Sequence, residues 1–268
     1  VTDYVSLSYG DLALGSLFIF VNAALSIALE LGVHNRILIA AARMVVQLAI
    51  MGLILTALFA VVSPVWTSLA ALGMVLFAGR EIAARQDRPL GGLWSYGLGT
   101  VCMMIGPMLV TILALTTVLR SDPWYDPRYA VPVLGMILGN AMTGIALGIS
   151  GLAGGLTTRR AGVEAQLMLG ATRRTAMAPV IRQALRDALM PIINSMSATG
   201  IVSLPGMMTG QILGGVAPAE AVRYQILIMF LIAGGTGIGA VAAVMGAAYR
   251  LSDGRHRLRL DRLGAGKA

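Results

Sequence analysis

From Ile37 to Val62 the chain reads ILIAAARMVVQLAIMGLILTALFAVV, an apolar run broken by one charge, Arg43. Crossing about 30 Å of hydrocarbon takes roughly 20 residues of helix at 1.5 Å each, and this run exceeds that. Comparable blocks follow the same pattern: about Asp11 to Leu31, Trp66 to Ala84, Leu93 to Leu119, Ala130 to Leu152, Ala188 to Leu204 and Val222 to Ala248. Composition agrees, with 57% hydrophobic residues, 12% charged and a mean hydropathy of +0.81. Soluble domains carry about a quarter charged residues, so a soluble helical bundle is a poor fit. The expected fold is all-α: a polytopic transmembrane helical bundle of about seven spans, in the cell (inner) membrane. The chain opens on Val1, and its first block reads as a retained helix rather than a cleaved leader.

The net charge of +8 is distributed as the positive-inside rule requires. Arg36, Arg80, Arg85, Arg88, the arginines from Arg159 to Arg186 and those from Arg250 to Arg262 fall on one side of the spans. Arg120, Arg128 and Arg223 fall on the other. This places the N-terminus outside and the C-terminus inside. No basic face on a soluble fold is present, so no nucleic acid is expected as a partner; the lipid membrane is.

Catalytic chemistry finds little support. A phosphate-binding loop needs Lys followed by Ser or Thr, and the one lysine, Lys267, precedes Ala268. His34 and His256 lie on separate segments, and the single cysteine, Cys102, sits in an apolar block. No catalytic residue is expected. ATP and magnesium, if used, belong to another chain. Gly234-Gly235-Thr236-Gly237-Ile238-Gly239 lies inside a span with no strand before it and reads as helix packing. Gly135 and Gly139, and Gly144 and Gly148, repeat the same spacing.

The polar stretch from about Ala153 to Asp187 holds the segment that bears most on function. Within it, Val163, Leu167, Met168 and Ala171 follow helical spacing, and Gly170 permits a turn before Arg173-Arg174. A short helix with an apolar face suits docking into another protein's groove; lying on the inner leaflet is the alternative. Glu164-Ala165 followed by Gly170-Ala171 resembles the coupling helix of ABC-transporter permeases, although Gln166 replaces a second alanine and Pro179 and Pro191 depart from the usual spacing. The resemblance extends over nearly the whole chain after the first helix. Arg43-Met-Val-Val-Gln47, Gly139-Asn140-Ala141-Met142, Val202-Ser203-Leu204-Pro205-Gly206-Met207-Met208-Thr209-Gly210 and Tyr224-Gln225-Ile226 occur in the order seen in the FetB-type permeases. That family includes a bacterial permease implicated in iron export and plant relatives implicated in aluminium tolerance.

The resemblance implies a single permease domain over 1–268, working as a homodimer with a separate ABC-type ATPase subunit. Glu164, Ala165, Leu167, Met168, Gly170 and Ala171 would couple it to that ATPase. The transported solute would be an iron-like metal ion. A sugar nucleotide, or no transport at all in a membrane sensor or assembly protein, remain alternatives.

Polar groups at membrane depth mark a candidate pathway. Arg43 and Gln47 share a helix face, with Arg43 either in the pathway or snorkelling to the cytoplasmic interface. Asn140 sits mid-block as either an interhelical hydrogen-bonding group or a pathway ligand, and Asn194 and Ser197 are similar; Glu30 belongs at the inner interface. From Ala188 to Ala219 no residue is charged. Pro205 and Gly206 fall inside that stretch, which suggests a broken or re-entrant helix with free carbonyls. Pro205, Gly206, Met207 and Met208 join the pathway candidates. Thioethers suit soft cations rather than iron or aluminium, so metal ligation and packing both stay open for the methionines.

Overall fold

The computed structural model describes residues 8–264. Among them the fold is all-α, with six helices long and apolar enough to span a membrane. The chain divides into two compact units. One runs to Val61 and takes in Leu213–Gly215; the other comprises the rest.

The first unit is a hairpin of α1 (Tyr9–Ala28) and α2 (His34–Ala60). Ser8 caps α1 reciprocally: its hydroxyl accepts from the Asp11 N–H, and the Asp11 carboxylate accepts from the Ser8 N–H at 2.8 Å. The connection turns on Gly32, at φ 67°, and the buried Ser26 hydroxyl accepts from the Val33 N–H at 3.1 Å.

The second unit begins with α3 (Pro64–Arg85). The span from Trp94 to Val118 follows, built of α4 (Trp94–Met103), a π-turn at Met104–Met108, α5 (Leu109–Leu113) and a second π-turn at Ala114–Val118. Pro107, which cannot donate to the helical ladder, lies in the first π-turn. Asp126 caps α6 (Pro127–Thr158), which is followed almost directly by α7 (Arg160–Met168). Then come α8 (Arg173–Ala198), the short α9 (Gly206–Leu213) and α10 (Pro218–Arg250).

Small residues set how these helices meet. A Cβ on Gly106 would lie 2.6 Å from the Gly239 nitrogen and 2.7 Å from the Gly235 carbonyl, so two backbones touch there. The Gly235 and Gly239 spacing is therefore a packing device, as expected. Gly144 meets Ala188 and Thr236, while Gly148 meets Ala184, Ala188 and Val244. As numbers rise on α6 they fall on α8 and rise on α10, so α8 runs antiparallel to α6 and α10 parallel to it. Ile82, Leu134, Ile145, Leu152 and Val244 fill the core between them.

Two boundaries differ from expectation. The sixth block was expected from Ala188 to Leu204, but α8 starts at Arg173 and stops at Ala198. Its first half carries Arg173, Arg174, Arg182 and Arg186, and that charge hides a helix from a hydropathy reading. For the same reason the polar stretch 153–187 is helical except for Arg159 and the α7–α8 corner. The Gly206–Pro218 region holds an eight-residue helix, about 12 Å long and too short to cross a bilayer.

The segment after Arg250 is ordered to Gly264. Gly91 donates to the Arg262 carbonyl and Gly264 to the Pro89 carbonyl, each at 2.7 Å. Leu258, Leu260 and Leu263 pack against the main core, and Arg250 lies 4.6 Å from the Trp94 ring. Beneath this tail the buried Ser95 hydroxyl accepts from the Leu90 N–H and donates to Gln86 Oε1.

Candidate coupling corner and transport cavity

The α7–α8 corner is built from Gly170, Ala171 and Thr172. Gly170 takes φ 89°, a left-handed conformation that suits glycine. Its N–H donates to the Leu167 carbonyl and the Ala171 N–H to the Gln166 carbonyl, the paired bonds of a Schellman ending. Thr172 then caps α8, its hydroxyl accepting from the Thr175 N–H.

This corner fixes which apolar residues face outward. Val163 is buried and Leu167 packs against the main core, so both hold α7 to the bundle. Met168 and Leu169 project instead, at 83% and 88% exposure. Glu164 pairs with Arg160 at 2.8 Å along the helix, and Ala165 is exposed. The tail braces the corner. His256 Nδ1 accepts from the Arg173 N–H at 3.1 Å, and the Arg173 guanidinium donates to the Asp253 carbonyl and lies 5.3 Å from the Tyr249 ring. Arg160, Glu164, Leu258, Leu260 and Asp261 enclose a cleft of about 350 Å³ where α7 meets the tail. Within the tail, two hydrogen bonds from Arg259 hold the Asp261 carboxyl down at about 2. The Arg257 backbone N–H likewise lowers Asp253.

At the opposite end of the second unit, α8 breaks at Thr199. Gly200 takes φ 96° and donates to the Ser203 carbonyl at 2.9 Å; Val202 and Ser203 both donate to the Ala198 carbonyl. Pro205 and Gly206 then open α9. Met207 and Met208, being adjacent on a helix, point apart. Met207 packs against the second core cluster, around Ile192 and Ile228. Met208 lines an open-sided cavity of about 570 Å³ with Met196, Thr199, Leu204, Gln225 and Met229 among its other walls, of which Met196 and Leu204 are exposed.

The remaining candidates are not gathered there. Arg43 and Gln47 lie one turn apart on α2, in the other unit. Asn140 is exposed on α6 with its amide donating to the Met136 carbonyl at 2.9 Å. Near it, Arg85 reaches Thr143 at 3.5 Å. Sequence reasoning missed Gln225, Met196 and Met229 as cavity walls. A lone amide inside an apolar span was a usable signal for Gln225; the two methionines gave none, since methionine ordinarily packs.

The family described as "Uncharacterised protein family (UPF0014)" matches residues 9–251. This chain belongs to it. Among UPF0014 relatives, the rice "UPF0014 membrane protein STAR2" is 36% identical over 218 residues, covering 81% of this chain and 74% of its own. "Protein ALUMINUM SENSITIVE 3" of Arabidopsis thaliana is 32% identical over 219 residues, covering 82% and 78%. The "Probable iron export permease protein FetB" of Escherichia coli K12 is 29% identical over 253 residues, covering 94% and 95%. No solved structure matches. Six apolar spanning helices and membership of a membrane-protein family make this UPF0014 chain a multi-pass membrane protein.

Proposed function

We propose that this chain is the membrane-spanning permease subunit of an ATP-binding-cassette transporter and that it exports metal ions of the iron type. In this reading residues 1–268 form one permease domain that works as a homodimer in the cell membrane. A separate ATPase binds ATP and magnesium and docks at the α7–α8 corner. The arginine-rich end, with the corner and the tail, faces the cytoplasm.

One observation carries the proposal: Met168 and Leu169 stand exposed on a corner whose backbone is fixed by Gly170 and Thr172. Apolar residues held rigidly in a polar region fit a groove on a partner at low entropic cost. Burying both would supply about 3–5 kcal/mol. The substrate class comes from the name of the Escherichia coli relative.

The test replaces both residues with aspartate, Met168→Asp with Leu169→Asp. Losing that burial should weaken ATPase binding by at least about 100-fold, with insertion and monodispersity unchanged. Co-purification with the ATPase and metal flux in vesicles are the measurements. Wild-type capture and flux in the double variant would overturn the docking role. Leu167→Asp is a different experiment, because it places a charge against the core.

A further inference from the structure

We propose that the cavity beside α9 is a binding site for a soft monovalent cation of the Cu(I) type, held by the thioethers of Met196, Met208 and Met229 and the carboxamide oxygen of Gln225. It rests on the reading of the chain as a metal permease and adds a soft-cation site to it, distinct from whatever site takes the iron-type cargo.

Three different elements supply the sulfurs: Met196 from α8, Met208 from α9 and Met229 from α10. The chain has 16 methionines in 268 residues, whereas three of the ten residues lining this cavity are methionine. That is several times the density expected if methionine were spread evenly. The neighbouring Met207 turns away into apolar packing, so the convergence is selective.

Gln225 supplies a second, independent observation. It is 5% exposed, lines the cavity, and its Oε1 finds no hydrogen-bond partner among the described residues. A buried acceptor left unpaired costs about 1–3 kcal/mol, a cost that a bound cation removes.

The charge of the site selects the ion. None of the ten lining residues is charged. Desolvation cost rises steeply with ionic charge, so a wall of neutral donors suits a monovalent ion and disfavours divalent or trivalent iron. Thioether sulfur is a soft donor and favours Cu(I) over hard cations. Among the described residues no group of three or more His, Cys, Asp or Glu stands together to offer a harder site. Neutral thioethers and an amide release no proton on binding, so affinity should be flat between about pH 5 and pH 8, unlike sites built from His, Cys or carboxylates.

The experiment uses the full chain in nanodiscs in a Cys102→Ala background, which removes the thiol, with Ag(I) as the redox-inert probe. Native mass spectrometry and a chelator competition read stoichiometry and affinity. One tightly held Ag(I) per chain is expected, with the same affinity at pH 5.5 and pH 7.5. Met196→Leu with Met208→Leu and Met229→Leu keeps volume and removes sulfur; it should abolish that ion, while Met190→Leu with Met245→Leu should retain it. Gln225→Leu should weaken it by about 10-fold. Methionine methyl NMR gives a readout within the folded protein, with three methyl resonances moving on Ag(I) addition. Absence of a stoichiometric ion, or one that survives in a folded triple variant, overturns the site. No ATPase or flux is involved, so failure here leaves the permease reading standing, and failure of the docking test leaves this site standing.

Discussion

At the residue scale, glycine separates contacts that look alike in sequence. Gly106 and Gly139 both lie in apolar spans, but only Gly106 has another backbone against it. A methyl group there would stand 2.6 Å from the Gly239 nitrogen, whereas one at Gly139 meets nothing within 4 Å. Gly106→Ala should cost about 3 kcal/mol by overpacking. Gly139→Ala should gain about 0.5 kcal/mol through helix propensity. Thermal unfolding in detergent measures both, and similar midpoints for the two variants would contradict the α10 contact. The same scale disposes of Met207 and Met208 as a pair: helical geometry sends one into packing and the other to the cavity.

At the element scale, the tail after Arg250 acts as a fastening strap. Its leucines sit against the main core, and its backbone is bonded to Pro89 and Gly91. Three half-buried leucines at about 1 kcal/mol each give about 3 kcal/mol of stabilisation. Deleting the chain from Asp253 onward should therefore lower the detergent melting temperature and loosen the α7–α8 corner, since His256 and Asp253 both bond Arg173. Hydrogen exchange over residues 160–176 would report that loosening. Unchanged protection after the deletion would mean the corner is held by α7 alone. The Arg259–Asp261 pair inside the tail brings no pH sensitivity near neutrality. A depressed carboxylate stabilises the fold above the ordinary range near 4 and loses its contribution only as pH falls toward about 2.

At the scale of the whole molecule, the alternation of the second-unit helices gathers the arginine-rich segments at one end. The 86–93 loop, the corner and the tail meet there, while the 119–126 loop and the α8–α9 turn fall at the other. In the proposed reading this first end is the cytoplasmic one, by the positive-inside rule. Cysteines placed singly at Trp124 and Arg255, in a Cys102→Ala background, test this. Trp124→Cys should react with a membrane-impermeant maleimide on sealed cells, and Arg255→Cys only after permeabilisation. Labelling of both from outside would reject the arrangement.

The sequence by itself determined six of the seven expected spanning blocks and the turn at the corner, because both depend on local interactions; the block from Ala188 to Leu204 is not among the helices long and apolar enough to span. A run such as 37–62 must bury its backbone bonds in helix once it enters lipid, whatever its neighbours do. Gly170 likewise carries its turn preference in its own lack of a Cβ. Tertiary structure alone decided which face each helix shows. In α7 the apolar residues Val163, Leu167 and Met168 share a helical pattern, and a periodicity reading cannot separate a core-facing residue from a docking one. The neighbouring helices and the tail fill the side under Val163 and Leu167 and leave Met168 open. The charged first half of α8 was lost to hydropathy averaging, because what holds it is the packing of Ala176, Met177, Val180 and Ala184 in the main core, which a hydropathy window does not see. Met196, Met208, Gln225 and Met229 are spread over three elements, and only the break at Thr199 and the crossing of α8, α9 and α10 bring them to one cavity.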